Sequence, residues 1–107
     1  MIVVSKLNKP KHLKQIVKKD RRGHLIEIFL KKKIKFNFNK CITVTSKQNV
    51  IKGLHFQKKF PQHKILFVLK GIINDFAIGI RKKNKNFGKI YNFKLTTGEA
   101  LIIPKEF

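Results

Sequence analysis

Cysteine and long apolar runs are nearly missing from this chain of 107 residues. A single cysteine, Cys41, excludes an internal disulfide framework and cannot build a zinc cluster alone. Its β-branched neighbours predict a buried, unreactive thiol. No run of about 18 apolar residues occurs, so no membrane span is predicted, and the short apolar patch at the N-terminus does not fit a signal peptide. We therefore expect a soluble cytoplasmic protein.

Acidic residues and arginine are also scarce. Only five Asp and Glu stand against 26 Lys and Arg, and the net charge of +21 predicts attraction to polyanions. Almost all of these cations are Lys, whereas specific base and phosphate contacts favour the bidentate guanidinium of Arg. The accompanying wealth of Ile, Asn and Phe is also what an A/T-rich coding bias produces. We expect nucleic acid to bind only non-specifically, through the net positive charge.

The chain does contain enough apolar side chain for one small domain. Hydrophobic residues make up 42% of the sequence, and ten residues are Phe. A chain of this length fits one domain, although small domains bury a smaller share of their surface and are marginally stable. Neither an internal repeat nor a Gly/Ser linker divides it. We predict a single domain over residues 1–107.

Short runs of β-forming residues, separated by turn residues, dominate the chain after residue 20. The preceding lead, residues 5–22, is polar and basic and ends at Gly23, which is free to adopt a positive φ. Alternation and β-branched content predict about seven strands, at 24–30, 34–39 (or an extended loop), 41–46, 49–57, two within 63–81 that meet at Lys70-Gly71, 89–95 and 100–104. No amphipathic helix is predicted there. This spacing indicates an all-β sandwich or barrel.

One predicted strand, "VIKGLHFQK" at 50–58, carries a histidine where a core strand would have only apolar residues. A cupin-type metal site would need a second His two residues after His55, but that place holds Gln57. His63 follows only after a loop with a proline, and no acidic residue follows until Asp75. Because a metal needs three or four converging ligands, we expect no metal here, and no cofactor.

Proton transfer is the chemistry that stays open for His55, since His gives and takes protons near neutral pH. Strict alternation would put His55 and Lys52 on opposite faces of the strand, and a bulge at Gly53 would bring them together. On the next strand, Lys64 alternates with apolar residues and could hold an anion inside a barrel. The alternative is a hydrogen-bonded His55 in the core or at its rim, with a solvated Lys64. The residues alone leave both interpretations open.

Six motifs follow one another in the order of a known enzyme family. The segments and the family patterns they are similar to are 20–27 (D-x-R-G-x-F-x-E), 51–57 (L-R-G-L-H-[FY]-Q), 61–71 (P-x-x-K-L-V-x-V-x-x-G), 74–81 (D-V-A-V-D-[IL]-R), 86–88 (T-F-G) and 103–107 (I-P-x-G-F). Over roughly residues 20–107 the chain thus resembles the dTDP-4-dehydrorhamnose 3,5-epimerases.

The resemblance implies a metal-free, cupin-like jelly roll, usually a homodimer. Its substrate would be a dTDP-4-keto-6-deoxyhexose on the route to dTDP-L-rhamnose. The resemblance implies that His55 is the catalytic base and that Lys64 binds the C4 oxygen of the sugar. Arg22 and Glu27 would help to place the nucleotide and its diphosphate, and Lys52 stands where the family has a substrate-contacting Arg. Removal of a proton beside the C4 ketone gives an enolate, so a neutral His and a nearby ammonium suit the reaction.

The chain departs from the family pattern at several positions. Lys52 keeps the charge of the usual Arg but loses its bidentate fork. Other replacements are Leu25 for Phe, Lys40 and Ile42 for the two polar residues of Q-x-N, Gly79 for Asp and Glu106 for Gly. The sequence also ends before the family's A-H-G-F segment, its general-acid Tyr and the Asp that orients the catalytic His. We therefore expect a jelly roll incomplete at the C-terminus, the N-terminal part of the family domain, with weak or absent epimerase activity alone.

Two other functions are compatible with these residues. One is a related 3-epimerase or 3,4-ketoisomerase that acts on a similar dTDP-sugar. The other is a non-catalytic barrel that binds a dTDP-sugar or a polyanion, for which salt-dependent binding of generic DNA would be the signature. An open barrel would also expose strand edges and apolar faces, which favours dimerisation or aggregation.

Overall fold

Short strands carry nearly all of the regular secondary structure in a computed structural model that describes residues 1–107. The nine strands are β1 (Ile2–Val3), β2 (Lys11–Lys14), β3 (Val17–Asp20), β4 (Gly23–Ile26), β5 (Ile34–Lys35), β6 (Lys64–Phe67), β7 (Ile72–Ile78), β8 (Ile90–Thr96) and β9 (Glu99–Ile103). They form four small sheets, ordered β1-β5, β2-β9-β6, β3-β4 and β7-β8. The one helical element is a 3-10 turn, Val4–Lys6, and no helix is long and apolar enough to cross a membrane. The all-β prediction is confirmed.

Strand β9 is the centre of the core. It pairs antiparallel with β2 on one edge and with β6 on the other, so its backbone groups are hydrogen-bonded on both sides. Ala100, Leu101 and Ile102 are fully buried. A short, continuous apolar run is what a strand covered on both faces needs, and the sequence of β9 supplies one.

The two faces of β9 pack in two separate small core clusters. Leu101 lies on one face, where it packs with Val68 and with Leu95 of β8. Ile102 lies on the other face, in a cluster with Val4 and Ile34 from the N-terminal third of the chain. The core therefore joins the first 34 residues to the last 40 and omits the middle of the chain.

The hairpin of β7 and β8 covers the Leu101 face. The two strands pair along seven residues, from Ile72 opposite Thr96 to Ile78 opposite Ile90. In β8, inward Phe93 packs on the Leu101 cluster while Lys94 beside it is exposed, as alternation requires. The four predicted strands of the C-terminal half, β6 to β9, are thus present, and Gly71 makes the turn between β6 and β7 at a φ of 109°.

Several strand predictions in the first half are wrong. Residues 41–46 and 49–57 form no strand, and β4 ends at Ile26 rather than at position 30; residues 36–39 follow the alternative of an extended loop. Conversely, β2 and β3 lie within the lead, where the sequence predicts no strand. The physical reason is that a strand needs a partner at the right register. The mainly polar β2 gains its partner from β9, whereas the β-branched segment at 41–46 has none.

Candidate functional site

The predicted base lies in a long connection without regular secondary structure. Residues 36–63, here called the connection, join β5 to β6, and every residue from 37 to 62 is exposed. The ring of His55 is exposed too, and no hydrogen bond holds it. The alternative of a hydrogen-bonded His55 in the core or at its rim is therefore wrong. Structureless loops of this length in a compact domain are uncommon and are often functional.

The ends of the connection are fixed to the rest of the chain, and its middle is not. At the start, Phe36 and Phe38 pack edge to face, with ring centroids 4.8 Å apart, and Phe38 also packs on Phe29 at 4.7 Å. At the end, the backbone N–H of Lys105 donates a hydrogen bond to Nδ1 of His63 at 3.2 Å. Burial lowers the pKa of His63, an effect that the charge of Glu106 opposes and that of Lys105 assists. A neutral ring keeps Nδ1 available as the acceptor.

The backbone of the connection is strained at two places. Asn49 and Phe60 have φ angles of 62° and 52°, and they are the residues other than Gly with positive φ in the chain. Asn tolerates this left-handed conformation, whereas Phe does so at a cost of about 1–2 kcal/mol. Phe60 is also highly exposed and precedes Pro61, so the strain lies in the turn that brings the chain back to β6.

Lys64, the predicted oxyanion-binding residue, is the first residue of β6 and is exposed. It lines a small cavity together with Gln57, Arg81, Lys105 and neighbouring residues. The cavity volume of about 10 Å³ leaves room for about one water molecule. Its lining is strongly cationic, which would stabilise negative charge on an oxygen atom nearby.

Asp75 lies close enough to Lys64 for the two charges to interact. Asp75 is not among the site residues predicted from the sequence. Burial raises the pKa of Asp75, and the positive charge of Lys64 lowers it by a smaller amount. Asp75 is half-buried in the middle of β7, where it pairs with Phe93. The signal in the sequence is a carboxylate inside a mainly apolar strand, in a chain with only five acidic residues.

Arg22 lies at the tip of the hairpin formed by β3 and β4. Its backbone N–H donates to Asp20 at 2.8 Å, and its Nε and Nη2 atoms donate to the same carboxylate at 3.1 and 2.7 Å. These bonds from Arg22 hold the pKa of Asp20 below its ordinary value. Beside them lies an open groove of about 370 Å³ whose lining also includes Lys18, Lys19 and His24. Asp20 thus orients the guanidinium at the edge of a basic groove.

The other two predicted binding residues are solvated. Glu27 follows β4 directly, Lys52 lies in the connection, and both are exposed. No hydrogen bond or ion pair joins any two of the five predicted site residues, which are His55, Lys64, Arg22, Glu27 and Lys52. The structure brings Lys64 and the residues around Gln57 to one cavity, and Arg22 to a separate groove.

A histidine–carboxylate pair also occurs outside the predicted set. Nε2 of His12 on β2 lies 2.5 Å from Oε2 of Glu99 on β9. The other oxygen of Glu99 accepts hydrogen bonds from the backbone N–H and the hydroxyl of Thr96, at 3.0 and 2.6 Å. These bonds from Thr96, and then the pairing with His12, lower the pKa of Glu99. The pair joins β2 to the turn between β8 and β9, so its role is structural.

The structure groups no set of metal-ligating side chains, and it places the single thiol at the surface. No three His, Cys, Asp or Glu side chains converge on one point. Cys41 is exposed in the connection, so the prediction of a buried thiol is wrong. Its β-branched neighbours, on which that prediction rested, are exposed as well, because residues 41–46 form no strand that could be buried.

A family model described as dTDP-4-dehydrorhamnose 3,5-epimerase matches residues 5–107. The chain belongs to this family. A curated epimerase of that name from Methanothermobacter thermautotrophicus is 32% identical over 95 residues, which are 82% of this chain and 51% of the relative. Another from Escherichia coli K12 is 37% identical over 65 residues, which are 58% of this chain and 35% of the relative. The chain thus spans about half the length, or less, of these curated relatives.

Solved structures of the epimerase family have the same fold. The enzyme from Bacillus anthracis, with TDP and PPi bound, has a TM-score of 0.78 and 26% identity over 91% of this chain and 61% of that one. The enzyme from Elizabethkingia anophelis has a TM-score of 0.71 and 25% identity over 95% and 61% of the two chains. The family resemblance and the cupin-like fold predicted from the motifs are both confirmed.

Proposed function

We propose that this chain is a dTDP-4-dehydrorhamnose 3,5-epimerase, an isomerase that inverts C3 and C5 of dTDP-4-keto-6-deoxyglucose. The observation that carries the proposal is the family match over residues 5–107, because that range contains all five predicted site residues. The names of the curated and solved relatives support the same activity. We also propose a homodimer in the cytoplasm that acts in dTDP-L-rhamnose synthesis, which the resemblance to the family supports.

His55 is the proposed base and Lys64 the proposed oxyanion holder. His55 takes the proton from C3 or C5, the electron pair of the C–H bond forms the enolate, and the C4 oxygen takes up the negative charge. The ammonium of Lys64 stabilises this charge, assisted by the cationic lining of its cavity. A water molecule from solvent then donates a proton to the opposite face of the same carbon, which inverts its configuration, and His55 releases its proton to solvent. The steps move only protons and leave no net oxidation.

Arg22, Glu27 and Lys52 are the proposed contacts to the substrate, the first two of them to its nucleotide and diphosphate. The groove beside Arg22 is large enough for part of a nucleotide sugar, since ligand pockets range from about 300 to 1,000 Å³. Asp20 orients the guanidinium of Arg22, which reduces the freedom that the side chain loses when it binds a phosphate. The TDP and PPi bound in the Bacillus anthracis enzyme support a diphosphate as the group recognised.

We expect the proton transfer to be slow. A base whose ring is not oriented loses much of the rate that an oriented one supplies, and the ring of His55 has no hydrogen-bond partner. The test is 1H NMR of dTDP-4-keto-6-deoxyglucose in D2O with the purified chain, in which deuterium replaces the protons at C3 and C5. We expect His55→Gln to reduce the exchange by about 10²–10⁴-fold.

Lys47→Gln is the matched control, because Lys47 is exposed in the same connection and belongs to no proposed contact. It should leave the exchange unchanged. The NMR products also separate the related activities: exchange at C3 alone indicates a 3-epimerase, and movement of the keto group indicates a ketoisomerase. Exchange that persists at the wild-type rate in His55→Gln would contradict the assignment of the base.

A second candidate function is the binding of polyanions without chemistry. The observation that favours it is the basic groove between β3 and β4, which Lys18, Lys19, Arg22 and His24 line in a chain of net charge +21. Titration with dTDP, inorganic diphosphate and generic duplex DNA across a range of salt concentrations distinguishes the two. Preference for dTDP at high salt supports the epimerase, and equal, steeply salt-dependent binding of DNA supports the polyanion module.

A further inference from the structure

Arg81 is the one residue whose side chain connects the His55 region to a sheet. Its Nη2 atom donates a hydrogen bond of 2.6 Å to the carbonyl oxygen of Gln57, two residues after His55. This is the only hydrogen bond between residues 36–62 and the rest of the chain. Two residues span at most about 7 Å, so a fixed Gln57 keeps the backbone of His55 within that distance.

Arg81 is itself well fixed. It lies three residues after the end of β7, and its carbonyl oxygen accepts a hydrogen bond from the backbone N–H of Asn84 at 2.9 Å. The preceding N–H, of Ile80, donates to the carbonyl oxygen of Glu106 at 3.1 Å. The Nε atom of Arg81 is buried and has no partner. The planar guanidinium thus extends from a rigid turn toward the connection, and its outer nitrogen Nη2 is the one that donates a hydrogen bond.

The same guanidinium borders the cavity of Lys64. Gln57, Lys64 and Arg81 all line that cavity. The bond from Arg81 to Gln57 therefore determines where the His55 region lies relative to Lys64, across a space that holds about one water molecule. A base and an oxyanion holder act on the same enolate only when that separation is fixed.

We propose that Arg81 is a positioning residue that holds the His55 region in register with Lys64; this rests on the proposed function. Arg81 does not contact the reacting atoms. Its outer nitrogen is taken by a backbone carbonyl, its inner nitrogen is buried, and the cavity beside it is too small for a phosphate. Its effect passes through Gln57 to His55.

The chemistry of the bond gives a specific expectation for substitutions. The acceptor is one carbonyl oxygen and the bond uses one N–H, so Lys at position 81 can form the same kind of bond, whereas Met cannot. The acceptor is also a backbone atom, so Gln57→Ala leaves it in place. We call the bond from Arg81 to the Gln57 carbonyl the clamp. It predicts that Arg81→Met frees the His55 region, that Arg81→Lys partly keeps this region in place, and that Gln57→Ala does not free it.

The first experiment measures motion and needs no substrate. In the 15N-labelled chain, the heteronuclear {1H}-15N NOE of the amides at 53–57 reports their rigidity on the picosecond to nanosecond timescale. We expect high values in the wild type, values typical of a flexible loop in Arg81→Met, and intermediate values in Arg81→Lys. Lys82→Met is the matched control, since Lys82 is the exposed cation beside Arg81, and it should resemble the wild type. Flexible amides at 53–57 in the wild type, or rigid ones in Arg81→Met, would overturn the proposal.

The second experiment measures chemistry. In the D2O exchange assay, we expect Arg81→Met to lower the kcat for exchange by about tenfold, the effect of losing one charge-assisted hydrogen bond, with KM nearly unchanged. A rise in KM at constant kcat would instead make Arg81 a binding residue and overturn the positioning role. A wild-type chain without exchange has no epimerase activity on its own, and the NOE result then still decides whether the bond from Arg81 holds the His55 region.

The backbone amide spectrum of β7 and β8 detects a variant that fails to fold, because β7 precedes the turn that holds Arg81 and β8 follows it. If Arg81→Met loses that spectrum, the wild type supplies the test. NOESY cross-peaks between the guanidinium protons of Arg81 and the backbone protons of Gln57 and Lys58 are expected from the bond. Their absence in a folded wild-type chain overturns the proposal.

Discussion

Strand β9 and residues 49–57 are both predicted as strands, and their surroundings are opposite. Both are rich in β-forming apolar residues. In β9 the backbone pairs on both edges and Leu101 is 0% exposed, whereas residues 49–57 pair with nothing, and Ile51 and Leu54 are 94% and 73% exposed. The difference lies in the partners that each segment meets, since composition alone predicts a strand in both places.

This contrast separates stability from the proposed chemistry. All 13 buried residues and all 36 backbone–backbone hydrogen bonds lie outside residues 37–62, which hold the proposed base. Segments with few buried contacts open at low free energy, and functional loops commonly belong to this class. We therefore expect changes in the sheets to alter folding, and changes in the connection to alter activity.

The largest expected effect on stability is at Leu101. Leu101→Ala removes a fully buried side chain that packs with Val68 and Leu95, and large-to-small changes of this kind destabilise by about 2–5 kcal/mol. Leu54→Ala makes the same chemical change in the connection, at an exposed position, and should stay within about 0.5 kcal/mol. Urea unfolding followed by circular dichroism measures both. Equal losses of stability in the two variants would contradict the expectation that the sheets carry the stability and the connection does not.

Two glycines make a second comparison, with a smaller expected effect. A Cβ atom at Gly79 would collide with the backbone carbonyl of Asn86, so Gly79→Ala should destabilise by about 1–3 kcal/mol. A Cβ atom at Gly53 would meet nothing within 4 Å, and its φ is not positive. Gly53→Ala should range from no change to about 1 kcal/mol of stabilisation, because Ala has less freedom in the unfolded chain. Thermal unfolding of both variants checks the order, and a clear loss of stability in Gly53→Ala would indicate that the connection is packed in solution.

The smallest expected effect concerns acid stability. In the folded chain, hydrogen bonds from Thr96, and then from His12, lower the pKa of Glu99 below its ordinary value of 4.5. The ionised Glu99 therefore contributes stability that is fully present above about pH 4.5 and is lost as the pH falls through the lower, folded value. We expect Glu99→Gln to be less stable at pH 7 and to lose stability less steeply as the pH falls below about 4.5.

Glu27→Gln is the matched control for Glu99→Gln, because Glu27 is exposed and forms no hydrogen bond or ion pair. Urea midpoints at several pH values measure the slopes. If the slopes of Glu99→Gln and the wild type coincide, the carboxylate is not held in the folded chain as the hydrogen bonds to Thr96 indicate.

The sequence by itself determined the fold class, the family and the strands of the C-terminal half. Alternation in β8, the continuous apolar run of β9 and the turn at Gly71 are local signals, and local signals are what a sequence displays directly. The motif order over residues 20–107 identified the family, which the match over residues 5–107 confirms. The five predicted site residues, His55 and Lys64 among them, remain a proposal.

The tertiary structure alone decided which β-forming segments become strands and which residues meet. Pairing joins residues far apart in the chain, such as Lys11 and Ile102, so no local pattern shows that the polar β2 finds a partner and residues 49–57 do not. The same holds for the bond from Arg81 to Gln57 and for the approach of Asp75 to Lys64. Each depends on how segments far apart in the chain come together, which is a property of the folded chain.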